Sequence, residues 1–73
     1  MKAYLFIDSI HKSVMMIVAA SSRDACILCG EKTDIIKDKY ILVGSVNCTE
    51  GKLYAHLLLW SLENTIVNSY EKD

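Results

Sequence analysis

The chain contains no proline and only three glycines among its 73 residues. Collagenous and mucin-like sequences are built on residues that are missing here, so both classes are excluded. With so little glycine there is also no glycine-rich loop of either phosphate-cradling pattern. Cysteine is scarce and odd in number. Cys26, Cys29 and Cys48 make a poor disulfide framework. Neither sign of charge dominates: eight Lys and Arg stand against nine Asp and Glu, for a net charge of −1. A nucleic-acid groove normally shows a clear basic excess, so nucleic acid is not an expected partner. Long apolar runs are lacking too. The longest, residues 53–62, contains His56 and Ser61 and falls well short of the ~20 residues that a bilayer needs. The apolar stretch after Lys2 is broken by Asp8, Ser9, His11 and Lys12, unlike a secretory leader. The expectation is a protein of the reducing cytoplasm with no membrane partner.

What remains is apolar. Hydrophobic residues make up 52% of the chain, with Ile, Leu and Val prominent, whereas disordered chains are poor in such residues. The length allows a single domain over residues 1–73. A domain of this size buries only roughly 60% of the surface its unfolded chain exposes, and its core supplies only about 3–5 kcal/mol. Some apolar surface is therefore expected to stay outside, where a second copy or another protein would cover it.

Periodicity assigns the elements. Residues 2–8 alternate, with Ala3, Leu5 and Ile7 on one face and Lys2, Tyr4, Phe6 and Asp8 on the other, as a strand requires. Residues 13–19 form a second strand that is apolar on both sides, and a short polar turn joins the two as an antiparallel hairpin. Ser21 followed by Asp24 resembles a capping box at the start of a helix, whose inward face would carry Ala25, Leu28 and Cys29. Gly30 either ends that helix or weakens it by about 1 kcal/mol. Thr33 and Asp34 read as a break, and residues 35–39 as a helical turn or a loop. Residues 40–46 are a third, β-branched strand in which Gly44 marks a bulge.

The last segment is the ambiguous one. Helical spacing from Glu50 to Tyr70 puts Ala55, Leu59, Leu62 and Ile66 on one stripe and Leu53, Leu57, Trp60 and Val67 on another, a width that implies burial on two sides. The rival reading makes residues 52–58 a fourth strand in a hairpin with the third. The helix is preferred. The resulting fold class is α+β, in the order ββαβα, with a three-stranded antiparallel sheet ordered 2-1-3 and two helices on one face. The other face would expose Tyr4, Phe6, Met15 and Ile17.

Few residues suggest chemistry. Cys26-Ile27-Leu28-Cys29-Gly30 has half of a zinc-knuckle pattern, and Cys48 with His56 could complete four ligands; the alternative is that the cysteines pack as small apolar residues. A redox role needs the first cysteine at a helix N-terminus, and Cys26 lies a turn inside. Neither His11 nor His56 has a nucleophile at a readable spacing. Tyr4, Phe6 and Tyr40 could stack bases, but the low basic count favours core or interface roles.

The stretch Val18-Ala19-Ala20-Ser21-Ser22-Arg23-Asp24-Ala25, followed by Tyr40-Ile41-Leu42-Val43-Gly44-Ser45-Val46, resembles small ββαβ proteins encoded by bacteriophages and mobile elements. Some of these are anti-CRISPR and other anti-defence inhibitors, which act by binding and blocking. The resemblance implies an inhibitor of a host protein complex and carries no catalytic residue. Together these readings describe a non-enzymatic, cofactor-free protein-binding module that acts as a homodimer. Its expected interface is Tyr4, Phe6, Met15, Ile17 and Trp60. The alternative is a small zinc module using Cys26, Cys29, Cys48 and His56.

Overall fold

The computed structural model describes residues 1–8, 12–33, 40–61 and 66–72. The chain is α+β, and its elements in order are β1 (Lys2–Asp8), β2 (Ser13–Ala19), α1 (Ser22–Thr33), β3 (Ile41–Asn47), α2 (Cys48–Ser61) and β4 (Ile66–Glu71). The strands form one mixed sheet ordered β3-β1-β2-β4. β1 runs antiparallel to both β2 and β3, while β2 and β4 are parallel. The expected 2-1-3 adjacency survives inside this sheet. The three-stranded, purely antiparallel description does not, because β4 adds a fourth strand.

That strand also corrects the last helix. α2 ends at Ser61, and Ile66–Glu71 is extended beside β2 rather than helical. The rival hairpin strand at residues 52–58 is not formed either, since those residues lie within α2. Ile66, Val67 and Tyr70 are β-favouring residues, and an apolar neighbour was waiting for them. The far edge of β2 has Val14, Met16 and Val18 opposite Val67, Ser69 and Glu71.

Strand alternation then decides where the helices go. On one face Tyr4, Phe6, Met15, Ile17 and Ala19 form a cluster with Ala25, Leu28 and Cys29 of α1. On the other, Ala3, Leu5, Val14 and Met16 cluster with Ala55 of α2. The helices therefore lie on opposite faces, not on one. Two crossovers explain this. β2 to β3 passes across the sheet in one direction and β3 to β4 in the other. For both to keep the usual right-handed sense, their helices must sit on opposite sides.

Local signals position α1 as its sequence suggests. The Asp24 N–H donates to Ser21 Oγ at 3.2 Å, and the Ala25 N–H donates to the Ser21 carbonyl at 3.1 Å, so Ser21 is the cap. The helix runs through Gly30 and includes Thr33, so the expected break does not begin at Thr33. At its C-terminal end the Lys32 ammonium lies 4.6 Å from the centre of the Tyr70 ring, a cation–π contact that ties α1 to β4. α2 sits close to the sheet because Gly51 lets it. A Cβ at Gly51 would come within 2.5 Å of the Ala3 Cβ and 3.1 Å of Met16 Sδ. In β3 the pairing with β1 steps from Leu5–Gly44 to Phe6–Leu42. Val43 is thus an extra residue beside Gly44, a bulge on the edge strand.

Candidate interaction surface

The central strands are consumed by the core. Tyr4, Phe6, Met15 and Ile17, expected on an open sheet face, are each buried beneath α1. They would be open only if both helices lay on the other face; a strand apolar on both sides needs a cover on both sides. The one member of the expected interface on the outside is Trp60, which is 87% exposed.

Trp60 belongs to a pattern. With 3.6 residues per turn, Gly51, Ala55 and Leu58 share one side of α2, and this side meets the sheet. Leu53, Leu57 and Trp60 recur on the side turned away, all three exposed. His56 joins them around a shallow apolar hollow on the helix surface. Both sides of α2 are apolar, and the described residues cover only one of them. Tyr54 is also exposed, as are Ile41, Leu42 and Val43 of β3.

A second depression lies between α2 and β4. Met16, Ala55 and Val67 floor it, and Lys52, His56 and Ser69 stand around it, enclosing ≈ 310 Å³. These side chains provide a cation, an imidazole and a hydroxyl, and no carboxylate lines it among the described residues.

The four candidate zinc ligands are not brought together. Cys26 and Cys29 are on α1, and Cys48 and His56 are on α2, across the sheet. Zinc–sulfur bonds of about 2.3 Å cannot bridge that separation. Among the described residues, no three His, Cys, Asp or Glu side chains are grouped to hold a metal. Cys29 packs in the α1 cluster, and its thiol is held above its ordinary pKa, mainly by burial and further by neighbouring Cys26. Burial thus suppresses the thiolate that either metal binding or redox chemistry requires. Cys48 instead donates its thiol to the Met1 carbonyl at 3.5 Å.

The aromatic residues considered for base stacking are also separated from such a role. Tyr4 and Phe6 are core, and the Tyr40 hydroxyl is hydrogen-bonded to the Ser13 hydroxyl at 2.6 Å. His11, Asp34, the helical turn or loop at 35–39, and Leu62 lie outside the described residues. Among those described, no helix is long and apolar enough to cross a membrane. Comparison with known proteins finds no matching family, no matching curated protein and no matching solved structure.

Proposed function

We propose that the chain is a non-enzymatic protein-binding module that works as a homodimer through apolar surface. One observation carries this reading. α2 shows Leu53, Leu57 and Trp60 to solvent on the side opposite its own buried stripe. A helix apolar on two opposite sides belongs between two layers, and the described residues supply only one of them. Grouped exposed apolar side chains, unlike scattered ones, mark association surfaces. Trp is among the residues enriched at the centres of such surfaces. A weak net charge of −1 adds little repulsion between copies. The narrower role of inhibiting a host protein complex rests on the phage-like resemblance alone.

The test is the mass of the full chain in solution, measured by sedimentation over a range of micromolar concentrations. A mass of two chains is expected. A single chain at every concentration, together with no partner recovered by crosslinking in extracts, would defeat the reading.

A further inference from the structure

We propose that two copies join edge to edge through β3, each Ile41–Asn47 strand pairing antiparallel with its counterpart. This rests on the preceding reading of self-association but places the meeting of the copies at the sheet edge, which leaves Leu53 and Trp60 of α2 free for a different protein. β3 ends the sheet, so one of its long sides carries backbone N–H and C=O groups that no strand among the described residues pairs with. Only another extended backbone matches such a row. Natural edge strands are guarded by Lys, Pro, inward-pointing charge or short length. Ile41–Asn47 has no proline and no ionisable residue over seven positions. Its one guard is the bulge at Val43.

The occupant follows from symmetry and charge. An edge meeting its own copy about a two-fold axis is antiparallel by necessity, which is the better-bonded pairing. Because β3 is uncharged, two copies approach with no like-charge pair across the seam. The opposite edge, β4, reads Ile-Val-Asn-Ser-Tyr-Glu and places Glu71 on the edge, with Lys72 directly after it.

Side chains beside the edge add to the contact. Lys52 and His56 share the flank of α2 that is turned to β4, where they line the groove with Val67 and Ser69. On the same helical wheel Tyr54 and Leu57 fall on the other flank, toward β3. Both are exposed, and so is Ile41 at 68%. A standard interface buries about 800 Å² per partner, more than a backbone ladder supplies. Ile41, Tyr54 and Leu57 are placed to provide the remainder. Two four-stranded sheets then become one of eight strands, and Trp60 stays outside the seam.

Sedimentation of the full chain with charges placed on the edge tests this. Val43→Lys is expected to raise the dimer dissociation constant at least tenfold, and Val43→Glu to do the same. An equal mixture of the two variants is expected to recover a dimer, because opposite charges then face each other. A dimer that survives Val43→Lys overturns the edge pairing, and loss of that dimer in Trp60→Ser assigns the contact to the outer side of α2. Monomeric variants that the mixture fails to rescue also overturn it. A wild-type chain that sediments alone overturns both this inference and self-association itself.

Discussion

α1 and α2 cover opposite faces of the same sheet, yet they differ on the side that looks away from it. α1 turns Ala25, Leu28 and Cys29 inward and exposes Arg23, Cys26, Glu31 and Lys32, with Ile27 its one exposed large apolar residue. α2 turns Ala55 inward and exposes Leu53, Tyr54, Leu57 and Trp60. The first helix completes a core; the second completes a core and still offers an apolar surface. Covering a sheet face needs only one stripe. The extra stripe on α2 stays exposed among the described residues, and this is why protein binding is proposed for that side.

The comparison can be broken most severely at the sheet. Ile17 under α1 and Leu5 under α2 are both fully buried. If the two faces are equal supports, Ile17→Ala and Leu5→Ala each cost about 2–5 kcal/mol. Either loss is comparable to what a core of this size supplies. Denaturant melts of the two variants should therefore show both largely unfolded, and one tolerated substitution would show that its face is dispensable.

The two helical glycines sharpen the contrast. Gly51→Ala drives a Cβ against Ala3, and overpacking of about 1–3 kcal/mol outweighs the ~1 kcal/mol gained in helix propensity. Gly30 in α1 has open space where a Cβ would stand, so Gly30→Ala is expected to stabilise by about 0.5–1 kcal/mol. The same substitution thus has opposite signs in the two helices. Thermal melts that moved in the same direction would mean that α2 is not held as close to β1 as Gly51 implies.

The smallest stability effect is expected on the outer side of α2. Trp60→Ser should change monomer stability by no more than about 0.5 kcal/mol, because the ring has little of the chain around it. A large loss on melting would show that Trp60 supports the fold rather than facing a partner.

Much of this fold can be read in the residues themselves. Alternation in Lys2–Asp8 and Ser13–Ala19 yields the hairpin with the observed faces. Ser21 and Asp24 announce α1, and Gly44 flags the irregularity that falls at Val43. β4 is hidden for a physical reason. Ile66 and Val67 continue the helical spacing of the residues before them, and what draws them into a strand is an edge of β2 that lies 53 positions earlier in the chain. Without β4 there is one crossover and no constraint on the second helix. With it, handedness sends α2 to the face opposite α1, so that α1 buries Tyr4 and Phe6 while α2 covers Ala3 and Leu5. The two-sided apolar character of β2 was the local sign of that arrangement. On the interaction surface, Leu53, Leu57 and Trp60 stood out by spacing alone, but which stripe of α2 meets the sheet depends on Gly51, whose role appears only when Ala3 is seen against it.

The two sheet edges provide the most direct measurement. Backbone hydrogen exchange of the full chain, followed from low to high protein concentration, compares the amides of β3 with those of β4. Pairing between copies predicts that exchange in Ile41–Asn47 slows as concentration rises while Ile66–Glu71 is unchanged. Exchange in β3 that is the same at every concentration would contradict the account.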